Sequence, residues 1–230
     1  IQKIQRTRKI MTDFTWSYSS LKQYQNCPKQ YQEMRVLKNY TVTENEAMMY
    51  GKEVHSALED YVKEGVELAK NYQRFKPMVD KLIAIPGDKY PEYEMALTYN
   101  KEPCDFKSED RWVRGIADLV IVDKDYAFII DYKTGSNKYP DPKQLRLMAL
   151  MLFTHFPEIQ KIKAGLLFVM KNSFLNEEYH RKDMDKSWKM FEQPLKRLET
   201  SYDYDTWVPN PTPLCGWCPV KSCEFHKPRR

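Results

Sequence analysis

An acid and a lysine lie two positions apart in the stretch IIDYKTG, residues 129–135, at the end of an apolar run that is typical of a buried strand. Side chains alternate between the two faces of a strand, so Asp131 and Lys133 should point to one face and Tyr132 to the other. Because an unpaired buried charge is costly, the pair lies either at a solvated strand end or at a site that requires it. This motif alone leaves both interpretations open.

A second carboxylate, Asp118, interrupts the apolar run of the preceding predicted strand, GIADLVIV. The residues VDKD between the two strands predict a hairpin turn, which makes Asp118 and Asp131 cross-strand neighbours. Two adjacent carboxylates repel each other unless a cation lies between them or one of them stays protonated. Hard oxygen ligands suit Mg²⁺ or Mn²⁺, so the strand pair predicts a divalent-metal site.

Two predicted helices could bring further polar groups to this site. In GKEVH, Gly51 lies one turn before His55 on the same helix face, and glycine permits close approach of another segment. A single helical histidine is also a common core or surface residue. Gln144 begins the helix after the loop 135–142, where its amide could hold a substrate or the lysine, or simply face solvent.

The chain contains five cysteines: Cys27, Cys104, Cys215, Cys218 and Cys223. The last three form C-x₂-C-x₄-C, and three thiolates within nine residues indicate a metal site rather than core packing. Zinc could be bound by this trio together with His226 or with Cys27. Cys104, in EPCDF, lies apart and is predicted to be a free thiol.

The elements that must position these residues follow from periodicity and from turn signals. Helices are predicted over 17–35 with an interruption at Pro28, and over 46–65, 70–84, 142–156 and 183–201. Strands are predicted over 93–99, 112–122, 126–133 and 162–170. This order predicts an α/β fold with a central mixed sheet flanked by helices.

The bulk composition restricts the class of protein. The 230 residues are 42% hydrophobic, enough for one sizeable core, and the net charge of +5 is compatible with a polyanionic partner without requiring one. No apolar run approaches the ~18 residues of a membrane span, and no secretory signal is evident, so a cytoplasmic location is expected. Residues 1–10 are interpreted as a basic arm or an added segment, and 11–230 as a single domain.

Six motifs occur in the order found in PD-(D/E)XK nucleases of the RecB branch, which the chain resembles from about residue 17 to 225. They are SYSSLKQYQNCPKQY, GKEVH, RGIADLV, DYKTG, KQLRLMALML and CGWCPVKSC. That branch includes the nuclease domains of recombination helicase-nucleases, CRISPR-adaptation nucleases and stand-alone phage exonucleases. The resemblance implies a restriction-endonuclease-like core whose chain termini are joined by the cysteine cluster, residues 215–226.

The resemblance also implies a metal-binding role for several residues. His55 would be the helix-borne ligand, Asp118 the central bridging carboxylate and Asp131 the acid of the D-x-K motif. The backbone carbonyl of Tyr132 would be a further ligand. One or two Mg²⁺ or Mn²⁺ ions held there would serve phosphodiester hydrolysis by lowering the pKa of bound water.

Lys133 would then be the catalytic lysine, which orients the water and opposes transition-state charge. It could act as a general base only if nearby cations lowered its pKa well below ~10.4, so the electrostatic role is favoured. Gln144 corresponds to the helix glutamine of the family's fourth motif. Glu94, on the strand before Asp118, lies where relatives often have a glutamate near the site, although a salt bridge is an equal alternative. Four residues after the glutamine, where many relatives have a tyrosine, this chain has Met148.

In the RecB branch, a distant N-terminal cysteine and a C-terminal trio often hold a [4Fe–4S] cluster. The resemblance therefore implies a structural cluster with four ligands, Cys27, Cys215, Cys218 and Cys223. The spacing between the last two cysteines is one residue shorter than is usual in the family. Zinc remains the alternative metal.

The function implied by the resemblance is a metal-dependent DNA exonuclease that favours single-stranded ends and acts without sequence preference in recombination, repair or replication. If the source is a phage, the expected compartment is the host cytoplasm. Lys138, Lys143 and Arg146 follow Lys133 closely and could track a phosphate backbone, or could be a solvated helix start. The alternatives are a structure-specific endonuclease and a catalytically silent nucleic-acid-binding module of the same fold.

Overall fold

The computed structural model describes residues 14–138 and 140–227. The predicted basic arm or added segment, residues 1–10, lies outside the described residues. Within them the chain divides into two compact units, one drawn from residues 14–43 and 189–227 and the other formed by Glu44–Trp188. The second unit carries the predicted catalytic residues, and the first carries four of the five cysteines.

One mixed sheet of six strands forms the centre of the second unit, in the order β2-β1-β3-β4-β5-β6. The strands are β1 (Asp88–Thr98), β2 (Pro103–Cys104), β3 (Arg111–Asp123), β4 (Tyr126–Lys133), β5 (Lys161–Phe168) and β6 (Ser173–His180). Strands β4 and β5 are parallel, and the other neighbouring pairs are antiparallel. A parallel pair requires a crossover connection, which the helix between β4 and β5 provides.

The α-helices are α1 (Tyr18–Asn26), α2 (Pro28–Tyr31), α3 (Glu46–Glu64), α4 (Lys76–Ile83), α5 (Lys143–His155) and α6 (Met184–Tyr204). Pro28 separates α1 from α2 as predicted, because proline suits the first turn of a new helix and not the interior of an old one. Helix α5 is buried along most of its length, as expected for a crossover helix that packs on a sheet. Among the described residues, no helix is both long and apolar enough to cross a lipid bilayer.

Helix α3 owes its position to local signals at its ends and to one apolar face. Asn45 caps its N-terminus, and Gly65 ends it with φ of +70°, a left-handed conformation that glycine adopts without strain. Val54 and Leu58 are fully buried in a core that also contains residues of β3 and β4. This packing fixes the rotation of the helix and therefore the direction of His55, the residue after Val54.

The structure confirms the predicted α/β class, a central mixed sheet flanked by helices, but it adds elements at the sheet edges. Strand β1 begins at Asp88, within a segment that its proline and glycine residues marked as a loop, and strands β2 and β6 were not predicted. The sequence of β6, SFLNEEYH, is largely exposed and pairs on one side only. An exposed edge strand carries little of the apolar pattern on which sequence-based prediction depends.

Candidate active site

Asp118 lies at the point where strands β3 and β4 separate. The ladder between these strands ends at the pair Leu119–Ile130, so Asp118 and Asp131 are the next residues on the two strands, as the predicted hairpin requires. Beyond that pair, Asp118 Oδ2 accepts a hydrogen bond from the backbone N–H of Tyr132. In a regular ladder, a backbone carbonyl oxygen would accept this hydrogen bond. The carboxylate thus occupies the gap between the strands.

Asp118 belongs to a group of three potential metal ligands. His55 Nδ1 lies 3.3 Å from Asp118 Oδ1, and one ligand atom each from His55, Glu92 and Asp118 lie within 4.8 Å of one another. Over residues 14–138 and 140–227, this is the one set of three or more His, Cys, Asp or Glu ligand atoms that lie so close together. An imidazole and two carboxylates are a donor set that fits Mg²⁺ or Mn²⁺.

Gly51 allows helix α3 to approach this site, as the GKEVH motif predicted. A Cβ atom at residue 51 would lie 3.1 Å from the side-chain oxygen of Thr134, in the loop that follows β4. This distance is shorter than ordinary van der Waals contact, so a larger residue would push the helix away. Glycine therefore helps to hold His55 close to the end of β4.

Glu92 was not predicted as a site residue, and the sequence pointed instead to Glu94. The neighbours of Glu92 on each side pair with Leu119 and Ala117, which places Glu92 opposite Asp118 on the adjacent strand. Its φ of +46° is a left-handed conformation that non-glycine residues rarely adopt, and such strain concentrates at functional sites. Glu94 is exposed and does not belong to the ligand group.

Asp131 is held by the two residues that the sequence associated with it. Lys133 Nζ forms an ion pair with Asp131 Oδ2, as expected if both side chains share one face of β4. Gln144 Nε2, from the first turn of α5, donates a hydrogen bond of 2.7 Å to Asp131 Oδ1. The sequence left a substrate, the lysine or solvent as the partner of this amide, and in the structure the glutamine holds the acid.

Burial and crowding of negative charge shift the pKa values of the acids. Desolvation is the main cause that raises the pKa of Asp131 to about 6, with Asp118 adding to the rise and Lys133 opposing it. Desolvation, followed by the charges of Asp118 and Glu59, raises the pKa of Glu92 to about 7. These acids are close enough that each hinders ionisation of the next, which a bound cation would reverse.

The pKa of His55 is raised by its carboxylate neighbours. Burial alone would lower the pKa of this imidazole, but the hydrogen bond to Asp118 and the negative charges of Asp118 and Asp131 outweigh that effect. The influence of Asp131 on His55 indicates that the two parts of the site, the ligand group and the Asp131–Lys133 pair, share one electrostatic environment. His55, Asp118, Asp131 and Lys133 therefore influence one another electrostatically, and their catalytic roles stay a prediction.

The site is open to solvent on the side of helix α3. Glycine, polar and acidic residues line a cleft of about 450 Å³ there: Gly51, Lys52, His55, Ser56, Glu59, Glu92 and Asp118. A polymeric substrate can therefore reach the ligand group without entering a closed cavity.

The basic residues after the D-x-K motif lie in different environments. Lys138 and Lys143 are exposed, in the loop after β4 and at the start of α5. Arg146 lies 3.9 Å from Glu177 in an ion pair, and its guanidinium lies over the ring of Tyr179. Part of the Arg146 charge is therefore engaged within the protein, and contacts of all three residues with nucleic acid stay a prediction.

Four cysteines from the two ends of the chain line one small cavity in the first unit, namely Cys27, Cys215, Cys218 and Cys223, and His226 also lines it. Three of the sulfurs accept hydrogen bonds from N–H groups. The donor to Cys27 is the backbone of Asn210 at 3.5 Å, the donor to Cys215 is the backbone of Thr212 at 3.3 Å, and the donor to Cys218 is the side chain of Gln30 at 3.4 Å. Such donors stabilise the charge of a thiolate, and metal binding by these cysteines stays a prediction.

The predicted free thiol, Cys104, lies in β2 and is partly buried. Burial raises the pKa of its thiol, with the nearby Asp105 and Asp110 adding to the rise. A thiol whose pKa is raised is a poor nucleophile and a poor metal ligand at neutral pH.

A mixed sheet flanked by helices, with a D-x-K motif at the end of a central strand and a carboxylate on the strand beside it, is the restriction-endonuclease-like core. The chain belongs to the PD-(D/E)XK nuclease superfamily, whose family model matches residues 15–223. Membership implies a hydrolase that acts on nucleic acid, and nucleases of this superfamily use divalent metal ions.

Two solved structures are similar to this chain at low sequence identity. A protein from Eubacterium rectale described as a candidate exonuclease is 12% identical, with a TM-score of 0.53 over 95% of this chain and 91% of that chain. SSO0001 is 14% identical, with a TM-score of 0.49 over 99% of this chain and 98% of that chain. A search of curated proteins found no significant match.

Proposed function

We propose that this protein is a metal-dependent DNA exonuclease of the RecB-type branch that favours single-stranded ends and acts without sequence preference. The proposal depends on one observation, the convergence of His55, Glu92 and Asp118 beside the Asp131–Lys133 pair. Superfamily membership supplies the hydrolase class. The description of the Eubacterium rectale protein as a candidate exonuclease favours attack at strand ends.

The proposed ligands of one or two Mg²⁺ or Mn²⁺ ions are His55, Asp118, Asp131 and the backbone carbonyl of Tyr132, with Glu92 added by the structure. The crowding of acids supports this assignment, because the raised pKa values of Glu92 and Asp131 indicate a need for positive charge. When bound, the cation supplies charge to the scissile phosphate and lowers the pKa of the attacking water.

Lys133 and Gln144 have complementary roles in this proposal. The Lys133 side chain is 35% exposed, so its ammonium can contact both Asp131 and a substrate phosphate. Positive charge at that position opposes the negative charge that develops on the phosphoryl oxygens in the transition state. Gln144 fixes the orientation of the Asp131 carboxylate through its hydrogen bond to Oδ1.

The four cysteines that line the cavity are proposed to hold a [4Fe–4S] cluster that joins the two ends of the chain. In a tetrahedral zinc site with Zn–S bonds of about 2.3 Å, the sulfurs lie ~3.8 Å apart. Across the described part of the chain, no three cysteine sulfurs lie within 4.8 Å of one another. The cluster is proposed on the resemblance of the cysteine spacing to that of the RecB branch, and zinc remains the alternative metal.

Digestion of end-labelled DNA tests the proposed activity directly. We expect linear single strands to be degraded in Mg²⁺ or Mn²⁺, circular single strands to be spared, and no cleavage to occur in EDTA. Cleavage of circles would identify an endonuclease. Binding of DNA by metal-loaded protein without any hydrolysis would identify a silent binding module instead.

Glu92 and Glu94 offer a matched pair of substitutions on one strand. We expect Glu92→Gln to raise the Mg²⁺ concentration for half-maximal cleavage about 10- to 100-fold, because it removes a negative oxygen ligand. Glu94→Gln should leave this concentration unchanged, because Glu94 lies outside the ligand group. A metal titration of cleavage rate measures both, and equal responses of the two variants would contradict the assignment of Glu92.

Metal binding should stabilise the fold, and more so at higher pH. At pH 7.5 Asp131 and much of Glu92 are ionised, since their pKa values are about 6 and about 7, so a cation relieves their repulsion. At pH 5.5 both acids are largely protonated, and protons compete with the metal.

We expect saturating Mg²⁺ to raise the melting temperature by about 5 °C at pH 7.5 and by clearly less at pH 5.5. Differential scanning fluorimetry measures the shift, and Asp118→Asn should remove it at both pH values. A shift that is equal at the two pH values would contradict the role of the acids.

A further inference from the structure

A second groove lies in the unit formed by Glu44–Trp188, between helix α4 and the β5–β6 hairpin. It has a volume of about 450 Å³, and Arg74, Lys81, Met170 and Phe174 are among the residues that line it. Met170 and Phe174 are 38% and 40% exposed, so two large apolar side chains are accessible in one groove. We call this surface the Phe174 groove.

The ring of Phe174 is held in place by a glycine on the neighbouring strand. A Cβ atom at Gly165 would lie 2.2 Å from a carbon of the Phe174 ring, so the ring occupies the space that a side chain at residue 165 would take. Leu167, which pairs with Phe174 across the β5–β6 ladder, fixes its register. One side of the ring therefore rests on strand β5, while the residue remains open to the groove.

The charge of the groove is positive. Arg74 donates hydrogen bonds to the Tyr50 hydroxyl at 2.9 Å and to the Met170 sulfur at 3.2 Å, and both partners are neutral. Within residues 14–138 and 140–227, neither Arg74 nor Lys81 forms an ion pair, and none of the groove-lining residues is acidic. Two positive side chains that no acidic residue neutralises, next to an apolar surface, are complementary to a polyanion that also carries apolar faces.

The Phe174 groove adjoins the candidate active site. Lys133 and Phe168 form the last pair of the parallel β4–β5 ladder, and the groove residue Met170 follows two positions later. Tyr50 is hydrogen-bonded to the groove residues Arg74 and Met170, and it immediately precedes Gly51, which lines the cleft at the candidate active site. The proposal below requires a nucleic acid strand bound at Lys133 to pass this end of the sheet and enter the groove.

We propose that the Phe174 groove binds single-stranded nucleic acid, with Phe174 contacting an unpaired base and Arg74 and Lys81 contacting phosphates. A base in a duplex has both faces covered by its neighbours in the stack, so a protein ring can stack only on an unpaired base. The groove thus selects single strands at the catalytic site. This inference rests on the proposed nuclease function, since the bound nucleotides belong to the strand that is cut near Lys133.

Binding measurements on a Lys133→Ala background separate recognition from cleavage. A fluorescein-labelled oligothymidylate of about 12 nucleotides and a duplex of the same length are titrated in Mg²⁺ and followed by fluorescence anisotropy. Phe174→Leu keeps an apolar group over Gly165 but removes the aromatic face. We expect it to weaken single-strand binding at least about fivefold and to leave duplex binding nearly unchanged.

Two further variants control for loss of structure. Phe174→Tyr retains the ring and should retain single-strand affinity, and Tyr204→Ala removes a 75% exposed ring that does not line the groove.

Arg74→Gln keeps a donor for the Tyr50 hydroxyl while removing the charge. It should reduce the slope of log affinity against log salt concentration by about one.

The outcomes distinguish the groove from the nuclease proposal. If Phe174→Leu and Arg74→Gln bind single strands as the parent does while unsubstituted protein degrades DNA, the groove proposal is wrong and the nuclease stands. Equal weakening for single strand and duplex also overturns the base contact. If unsubstituted protein neither binds nor cleaves any DNA, the proposed function itself fails.

Discussion

Purified Lys133→Ala protein is expected to keep its fold and to lose about 10³-fold or more of its Mg²⁺-dependent cleavage of linear DNA. The side chain lies at the end of β4 and is partly exposed, so its removal costs little packing. What is lost is the positive charge opposite the scissile phosphate. Single-turnover cleavage rates measure the effect, and circular dichroism verifies the fold.

The matched control is Lys124→Asn, at the opposite end of the same hairpin. Lys124 lies in the turn between β3 and β4 with φ of +57°, a conformation that asparagine tolerates. This substitution also removes one cation but leaves the site untouched, so cleavage should be unchanged. Full activity of Lys133→Ala would remove the lysine from the mechanism.

The companion substitution Asp131→Asn should abolish cleavage to a similar extent without destabilising the metal-free protein. In the folded state the pKa of Asp131 is about 6, against 3.8 for the unperturbed group, because burial disfavours the carboxylate. The folded protein therefore binds this proton more tightly than the unfolded chain. Stability falls as the pH rises through this interval and remains lower above it.

Asparagine removes that penalty, so in EDTA at pH 7.5 the melting temperature of Asp131→Asn should equal or exceed that of the unsubstituted protein. A large drop in the melting temperature together with lost activity would point to a structural role. Retained cleavage by Asp131→Asn would contradict its role as a ligand. The two readouts thus separate catalysis from folding at one residue.

If the cysteine cavity holds the proposed iron–sulfur cluster, Cys218→Ser is expected to remove it and to destabilise the segments that the cysteines join. Anaerobically purified protein should be brown and contain about four iron and four sulfide per chain, and the variant should be colourless. Binding free energy at a structural metal site is folding free energy, so we expect the melting temperature to fall by about 10 °C or more. Elemental analysis, absorption spectra and thermal unfolding measure these effects.

Cys104→Ser is the control, because Cys104 lies in β2 and does not line the cysteine cavity. Its iron content and melting temperature should match those of the unsubstituted protein. Colourless unsubstituted protein with one zinc per chain would establish zinc as the metal. Cys27→Ser separately tests the ligand from the N-terminal segment, and unchanged iron in that variant would show that His226 or another group completes the set.

Local rules were sufficient to predict the centre of the site from the sequence. The alternation of side chains along a strand placed Asp131 and Lys133 on one face, and the structure pairs them directly. The short turn after β3 determined the register that makes Asp118 and Asp131 cross-strand neighbours. Each of these inferences concerns a segment of fewer than about fifteen residues. Over so short a segment, strand alternation and turn geometry determine which side chains are neighbours.

The edges of the site were decided by contacts between distant segments. Glu92 and Glu94 are both glutamates and lie two positions apart, so strand alternation alone does not distinguish them. Only the β1–β3 register and the left-handed backbone at residue 92 bring Glu92 to Asp118. Gln144 had several potential partners, and the packing of α5 on the sheet selected Asp131. No local pattern encodes such choices.

The Phe174 groove shows the same limit. Strand β6 has a polar, weakly alternating sequence, so neither the strand nor the seating of Phe174 on Gly165 could be foreseen. The sequence by itself determined which residue types could perform hydrolysis and the central hairpin that carries them. Tertiary structure alone decided which further carboxylate lies beside Asp118 and where the Phe174 groove forms, because both depend on pairing and packing between elements far apart in the chain.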